Sequence, residues 1–246
     1  MESPSSTVQI KRVGEGNNII LFVLNRQEKA NAYDNVTIRQ FAEYYATAIR
    51  DPSLRGGIVT GAGERVFCAG ADIASLADRS YTDGLNLQSR QLFDDWAKAP
   101  WPTIAAIQGP AIAGGLELAL ACDFRICSPS SWFSLPEVDL GLIPAAGGVR
   151  RLSQLIGGAR AKAMILFGQK VDSATALDWG LVSQIGDRVL DDAIHLAETV
   201  ARKDPLAIRL AKLALHSVSN SPGDATVEAI AQALLYHRKT EAQLKA

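Results

Sequence analysis

The stretch "AIAGGLELAL", residues 111–120, places two adjacent glycines, Gly114 and Gly115, and a carboxylate, Glu117, inside an otherwise aliphatic run. A helix that only fills a core gains nothing from these residues, because glycine costs about 1 kcal/mol relative to alanine inside a helix. An unpaired buried carboxylate costs more. The stretch therefore predicts a helix that begins near Gly114 and serves something besides packing.

The start of such a helix offers backbone N–H groups without partners, at the positive end of the helix dipole. Glycine also lets a ligand approach the backbone closely. Residues three apart share a helix face, so the Gly114 N–H and the Glu117 carboxylate can serve one site. The alternative, two packing glycines and a salt-bridged glutamate, is left open by this stretch alone.

A second glycine turn lies in "FCAGADI", residues 67–73, at the end of a predicted strand "RVFCAG". The N–H of Ala71, just after Gly70, is a candidate second donor of an oxyanion hole. Asp72 is predicted to cap the following helical stretch, which is a structural role. Cys68 has no histidine near it in sequence and is predicted to be a buried thiol rather than a nucleophile.

The third element is "SLPEVDLGLIPAAGG", residues 134–148, in which Glu137 lies 20 residues after Glu117. That separation accommodates a helix, a strand and a return, so both carboxylates are predicted to meet over one pocket. Two carboxylates in a partly apolar site titrate at different pH values, so one can act as a base while the other donates a proton. The alternative for Glu137 is a loop carboxylate in solvent.

Composition limits the class of protein. The chain has 246 residues, 48% of them hydrophobic, and a formal charge of −1, which permits a sizeable core and disfavours a nucleic-acid or membrane-surface binder. Three cysteines without a CxxC pair indicate a reducing compartment without disulfides. No metal site is expected, because the three histidines are widely spaced. The polar start "MESPSSTVQI" does not resemble a signal peptide, so we predict a cytoplasmic protein.

The order of predicted elements indicates an α/β protein. Strands alternate with helices up to Pro144, a single helix is predicted at 84–98, and helices dominate the remainder. We expect a core at residues 1–190 and a C-terminal helical oligomerisation region at 191–246.

Five segments together resemble the enoyl-CoA hydratase/isomerase (crotonase) family, in its order and spacing. They are "LNRQEKANA", "GIVTGAGERVFCAGADI", "PTIAAIQGPAIAGGLELALACDFRICS", "FSLPEVDLGLIPAAGGVRRLSQLIG" and "SATALDWGLVSQI". The resemblance implies a ClpP/crotonase-like spiral of ββα units and a helical trimerisation region. It also implies an acyl-CoA thioester as ligand and a homotrimer or a dimer of trimers, with neither nucleic acid nor membrane as partner.

The resemblance assigns roles to individual residues. The N–H groups of Ala71 and Gly114 would hold the thioester oxygen. The border of the coenzyme A moiety would include Lys29, Ala30, Ala69, Asp72 and Ile73.

Glu117 matches the first hydratase glutamate and Glu137 the second, and the presence of both favours hydration of a trans-2-enoyl-CoA to a 3-hydroxyacyl-CoA. Glu137 would supply the proton at C2, and Glu117 would help activate the water that adds at C3. No metal and no cofactor are implied, since coenzyme A is part of the substrate. The alternatives are Δ3,Δ2-enoyl-CoA isomerase, a hydrolase, decarboxylase or retro-aldol enzyme of the same fold, and a non-catalytic acyl-CoA or RNA-binding relative.

Two departures from the family pattern carry expectations of their own. Ala145 replaces the first glycine of a common "PGAGG", so its methyl group is expected to crowd the catalytic water or alter selectivity. The end "YHRKTEAQLKA" does not match the family's usual final helix. Either part of the acyl pocket or trimer contact is supplied otherwise, or the acyl end is more open, and the sequence leaves both open.

Overall fold

The computed structural model describes residues 6–75, 80–220 and 226–244, with the backbone alone at 218–220 and 239–244. The predictions for residues 1–5, 76–79, 221–225 and 245–246 lie outside this part of the chain. The strands are Val8–Val13 (β1), Ile19–Leu24 (β2), Gly56–Gly61 (β3), Thr103–Ile107 (β4), Ala111–Ile112 (β5), Phe124–Cys127 (β6), Trp132–Ser134 (β7), Val171–Asp172 (β8) and Gln184–Ile185 (β9). The α-helices are Asn35–Ala48 (α1), Tyr81–Leu85 (α2), Gln88–Ala97 (α3), Gly114–Leu120 (α4), Gly148–Ile156 (α5), Gly158–Leu166 (α6), Ser173–Asp178 (α7), Val189–Ala201 (α8), Pro205–Asn220 (α9) and Thr226–Leu244 (α10).

Two sheets organise the α/β core. The larger has the strand order β1-β2-β3-β4-β6-β9, and all of its pairs except the antiparallel β1–β2 hairpin are parallel. The smaller has the order β5-β7-β8. Parallel strands are covered on both faces, which is why β3 and β4 are buried along their whole length.

An aromatic cluster fixes the helices against one face of the larger sheet. Phe22 of β2 stacks on Phe41 of α1, with ring centroids 4.5 Å apart, and meets Trp96 of α3 edge-on at 5.1 Å. All three side chains are buried. Such pairs add to the burial of apolar area, so α1 and α3 are held together against this face of the sheet.

The segment 65–70 does not form the predicted strand. Within it the only pairing assigned is an isolated bridge from Cys68 to Ala111. Its backbone has scattered partners instead of a ladder. The Phe67 N–H donates to the Pro110 carbonyl and the Ala69 N–H to the Ala30 carbonyl, and the side-chain amides of Asn31 and Gln108 both donate to the carbonyl of Val66. Groups far away in the sequence thus bond the backbone of this strand-like segment, and the periodicity of a sequence does not reveal such partners.

The single helix predicted at 84–98 is also wrong, because α2 ends at Leu85 and α3 begins at Gln88. Arg90 donates to the Leu85 carbonyl at the junction, which satisfies a group that a continuous helix would have bonded itself.

The helix α8 straddles the predicted boundary at 190/191, since it begins at Val189. Its buried Ala193 and Ala197 pack with Ile19 and Ile58 against the second face of the larger sheet. The division into 1–190 and 191–246 stays a prediction. None of the helices in the described ranges combines the length and apolarity needed to cross a bilayer.

Candidate active site

The N-terminus of α4 meets the glycine turn at Gly70. A Cβ placed on Gly70, whose φ is +94°, would lie 2.9 Å from the amide nitrogen of Gly114. The neighbouring Ala71 forms a parallel bridge with Tyr33, in which the Tyr33 N–H donates to the Gly70 carbonyl and the Asp72 N–H donates to the Tyr33 carbonyl. In such a bridge the N–H of Ala71 points away from Tyr33.

The Gly114 N–H belongs to the first turn of α4, so it has no acceptor within that helix. Two backbone donors, at Ala71 and Gly114, thus lie on neighbouring segments and are both available to a ligand. Ala113, the residue before the helix, has φ +50° and ψ −128°, a sparsely populated conformation for a residue with a side chain.

A side chain on either glycine of α4 would meet protein, the Tyr33 side chain at Gly114 and backbone at Gly115. A Cβ on Gly114 would overlap the Tyr33 hydroxyl, and a Cβ on Gly115 would overlap the Cys68 carbonyl. The sequence argument attributed the glycines to ligand approach, whereas the space that a side chain would need is already filled by protein. Packing explains both residues, and it also brings the Gly114 amide beside the Gly70 turn.

Glu117 lies on the buried face of α4 and is only 3% exposed. Its Oε1 accepts a hydrogen bond from the Gly148 N–H at 2.8 Å. Burial raises the pKa of Glu117 to about 7; the Gly148 and Ala146 amides and Arg151 lower it, and the charge of Glu137 raises it further. The carboxylate can therefore gain or lose a proton near neutral pH.

Glu137 begins a 3-10 turn, Glu137–Leu140, after β7 and Pro136. Its side chain is half-buried, and burial raises its pKa to about 7. Its Oε2 is buried and has no hydrogen-bond partner among the described residues. The charge of Glu137 acts on Glu117, so the two carboxylates lie within electrostatic range of each other. The solvent-exposed alternative for Glu137 is not what the structure shows.

The residues that the resemblance placed along coenzyme A lie on two facing segments. The Ala69 N–H donates to the Ala30 carbonyl at 3.1 Å, next to Lys29, which is exposed. Ile73 is 68% exposed. Together with Asp72 these residues form one edge of the candidate site, but their contact with coenzyme A stays a prediction.

Asp72 has the structural role expected of it. Its Oδ1 accepts from the Ala74 N–H at 3.2 Å, which caps a 3-10 turn at Ile73–Ser75. Its Oδ2 pairs with Arg26 at 3.0 Å, and Arg26 also reaches Asp34 at 3.3 Å. Its carboxylate is thus occupied by protein partners.

Other chemistry-bearing residues do not join the site. Cys68 is fully buried, and burial raises the pKa of its thiol to about 12, which disfavours the thiolate that a nucleophile needs. Within the described residues, no three His, Cys, Asp or Glu side chains cluster as a metal site would require.

A cavity of about 1050 Å³ is lined by Lys11, Asn25 and Arg188 among others, and by none of the predicted site residues. The carboxylates and amides, rather than cavity size, therefore identify the candidate site.

Sequence reasoning missed two side chains that shape this site, Tyr33 and Arg151. Tyr33 packs on Gly114, and Arg151 packs on Gly147 behind the Glu117 carboxylate. Tyr33 follows the segment "LNRQEKANA" and Arg151 follows "PAAGG", so proximity to a motif was the only signal available for either.

The enoyl-CoA hydratase/isomerase family model matches residues 14–246. The chain belongs to this family. It is 38% identical over 200 residues to the carnitinyl-CoA dehydratase of Proteus mirabilis, covering 78% of this chain and 75% of that protein. It is 36% identical over 222 residues to the probable mitochondrial enoyl-CoA hydratase 2 of Arabidopsis thaliana, covering 87% of this chain and 72% of that protein.

Among solved structures of the enoyl-CoA hydratase/isomerase family, that of enoyl-CoA hydratase from Bacillus anthracis is similar with a TM-score of 0.86 and 32% identity. The similarity covers 94% of this chain and 90% of that one. The predicted crotonase fold is therefore confirmed, and so is the enzyme class, a hydro-lyase of the crotonase type. The acyl group of the substrate is not decided by these similarities.

Proposed function

We propose that this protein is an enoyl-CoA hydratase, which reversibly adds water across the double bond of a trans-2-enoyl-CoA to give a 3-hydroxyacyl-CoA. One observation carries the proposal. Two carboxylates, Glu117 and Glu137, lie within electrostatic range of each other, and burial raises the pKa of each to about 7. Hydration needs one group to take a proton from water and another to give a proton to carbon, and a neutral working pH favours groups with such pKa values.

The amides of Ala71 and Gly114 supply the electrostatic part of the proposed mechanism. Addition of water at C3 moves negative charge through the double bond onto the thioester oxygen, as in an enolate. Two backbone donors at fixed positions, one of them at a helix N-terminus, stabilise this charge without reorganising. Donors of this kind contribute about 3–4 kcal/mol each to transition-state stabilisation.

The proton transfers follow from the different partners of the two carboxylates. Glu117 accepts from the Gly148 amide, which favours its ionised form, so it takes the proton from the attacking water. The Oε2 of Glu137 has no partner in the described part of the chain, and in the protonated carboxyl it can donate to C2. The O–H bond of water breaks as Glu117 takes the proton and the C3–O bond forms. The O–H bond of Glu137 breaks as the C2–H bond forms and the C2–C3 π bond is lost, and proton exchange with solvent then returns both carboxyl groups to their starting states.

The test is to mix the purified protein with crotonyl-CoA and to follow the ultraviolet absorbance of the conjugated thioester. We expect the band to decline, with 3-hydroxybutyryl-CoA identified by mass spectrometry. Persistence of the band, in a protein that binds crotonyl-CoA, would overturn hydration of a short enoyl-CoA. Formation of a double-bond isomer from a 3-enoyl-CoA would instead support the isomerase alternative.

Carnitinyl-CoA is a second candidate substrate, because the relative from P. mirabilis is named carnitinyl-CoA dehydratase. The chemistry is the same reaction in reverse, with water eliminated from the 3-hydroxyacyl-CoA. Comparing kcat/KM for carnitinyl-CoA and for 3-hydroxybutyryl-CoA decides between them. If kcat/KM is much larger for carnitinyl-CoA than for 3-hydroxybutyryl-CoA, carnitinyl-CoA is the substrate.

The proposal includes assembly as a homotrimer or a dimer of trimers and a reaction without a metal or other cofactor. Apolar side chains on the last two helices support assembly, since Leu215 is 70% and Tyr236 62% exposed. Native mass spectrometry tests the oligomer, and a monomer would exclude it.

Activity that persists after dialysis against EDTA supports a cofactor-free reaction, and activity restored only by a metal would contradict it. The cytoplasmic location stays a prediction.

A further inference from the structure

The turn that holds Glu117 is compressed between that carboxylate and an arginine. A Cβ on Gly148 would lie 2.9 Å from Glu117 Oε1 and 2.8 Å from Pro144 Cβ. On the other side, a Cβ on Gly147 would overlap the guanidinium of Arg151. Neither glycine has room for a side chain, so the position of the Gly148 amide depends on what packs behind it.

Arg151 is itself fixed by three acceptors. Its side chain is 9% exposed, and its Nη1 donates to the carbonyl of Ala146 at 3.1 Å, within the same turn. Its Nη2 donates to the Phe93 carbonyl at 3.3 Å and to the carboxylate of Asp94. The guanidinium thus ties the turn before α5 to α3, whose Phe93 is buried and packs edge-on against Tyr33.

Arg151 also acts on Glu117 through its charge. Among the described residues, the charged groups that act on the Glu117 carboxylate are Glu137, which raises its pKa, and Arg151, which lowers it. Asp94 pairs with Arg151, and Arg150 lies beside that pair. Removing the guanidinium would therefore move the turn and favour the neutral form of Glu117 at the same time.

We infer that Arg151 is a positioning residue, which holds the Ala146–Gly148 turn against Glu117 and keeps that carboxylate ionised for the acceptance of a proton. The inference rests on the proposed function for its kinetic consequence. The contacts that carry it do not depend on the identity of the acyl group.

Arg151→Gln is the principal test, and Arg150→Gln is the matched control. Arg150 also pairs with Asp94, at 3.1 Å, but its side chain is 52% exposed and this ion pair does not reach the turn. We expect Arg151→Gln to lower kcat about tenfold or more with little change in KM, and to move the acidic limb of the pH–rate profile to higher pH. Arg150→Gln should leave both the rate and the limb unchanged.

Two further variants keep the inference testable if Arg151→Gln does not fold. Arg151→Lys retains the charge but not the planar fork, so the acidic limb should stay near its original pH while kcat recovers only in part. Asp94→Asn removes the carboxylate that partly neutralises Arg151, so the limb should move to lower pH. A purely structural role for Arg151 would lower the melting temperature in these variants without moving the limb, and that result would overturn the inference.

A direct titration separates this inference from the proposed function. Carboxyl carbons of 13C-labelled glutamate report ionisation by NMR, and loss of one signal in Glu117→Gln assigns the resonance. We expect the Glu117 titration to move upward in Arg151→Gln whether or not crotonyl-CoA is a substrate. Inactivity of the wild type on every enoyl-CoA would count against the proposed function, whereas an unmoved Glu117 titration would count against Arg151.

Discussion

The surroundings of Glu117 and Glu137 differ, although both titrate near neutral pH. Glu117 lies on a buried helix and receives the Gly148 amide, with Arg151 behind it. Glu137 lies on a half-buried 3-10 turn, and its Oε2 has no partner in the described part of the chain. Burial raises the pKa of both. At Glu117 the amides of Gly148 and Ala146 and the charge of Arg151 oppose the increase, whereas at Glu137 only its own backbone N–H does so.

This difference shows how two identical side chains can take opposite parts in one reaction. The donors around Glu117 stabilise a carboxylate, so it suits the role of base. The unpartnered oxygen of Glu137 has no such stabilisation, so it suits the role of acid. The assignment predicts a bell-shaped pH–rate profile whose two apparent pKa values belong to the coupled pair.

The largest expected effect comes from replacing either carboxylate. Glu117→Gln and Glu137→Gln should each lower kcat by about 10²–10⁴-fold, because each removes a general acid or base. Glu117→Gln should abolish the acidic limb of the pH profile and Glu137→Gln the basic limb. Stopped assays with crotonyl-CoA measure both.

Glu43→Gln, on the exposed side of α1, is the matched control and should retain the full rate. Crotonyl-CoA binding, measured by calorimetry, should persist in both active-site variants. Wild-type rates in either of them would remove the corresponding proton transfer from the mechanism.

The second effect concerns stability rather than rate. Because the folded-state pKa of Glu117 is raised above the ordinary value, its contribution to stability is fully present below about pH 4.5 and is lost as the pH rises through about 7. A pKa shift of this size changes the free energy of unfolding by an amount on the order of 3 kcal/mol between the two pH values. Urea unfolding at pH 4.5 and pH 8 should show this loss in the wild type.

Glu117→Gln should lack that part of the decline, and Glu43→Gln should show all of it. An equal decline in the wild type and in Glu117→Gln would mean that the pKa of Glu117 is not raised by folding.

The third effect distinguishes the two glycines of α4. Gly115→Ala places a methyl group against the backbone carbonyl of Cys68, whereas Gly114→Ala meets the Tyr33 side chain, which can move. We expect Gly115→Ala to lower the free energy of unfolding by about 2–3 kcal/mol and Gly114→Ala by less. Chemical denaturation compares them directly.

The effects on kcat should rank in the opposite order to the effects on stability, with Gly114→Ala lowering kcat more than Gly115→Ala, because Gly114 carries the proposed oxyanion donor. If Gly114→Ala lowers kcat less than Gly115→Ala does in folded protein, the donor is not at Gly114. Gly84→Ala is a control, since a Cβ there meets nothing.

The smallest effect is expected at Asp72, at the edge of the site. Its carboxylate is held by the Ala74 amide and by Arg26, so Asp72→Asn should cost about 1 kcal/mol or less. We expect KM for crotonyl-CoA to change less than twofold. A large increase in KM with unchanged stability would instead show that Asp72 contacts the coenzyme A moiety.

The sequence alone was enough to find the elements of the site. The glycines before Glu117 placed the start of a helix at Gly114, and the structure begins α4 there. The spacing from Glu117 to Glu137 predicted that the two carboxylates meet over one pocket, and in the structure the charge of Glu137 acts on Glu117; their common pocket stays a prediction. These features are local, or follow from the length of one helix and one return, so a pattern in the chain is sufficient to reveal them.

What only the tertiary structure decided is how those elements are held. The reason for Gly114 and Gly115 is Tyr33 and Cys68, both distant in sequence, and the predicted strand at 65–70 was replaced by contacts with Asn31 and Gln108. Arg150 and Arg151 are adjacent and identical in the sequence. In the structure Arg151 is buried behind Glu117, whereas Arg150 is half-exposed. Residue type and spacing determine which groups are present, whereas close packing between segments far apart in the chain determines which of them are buried, paired and ionised.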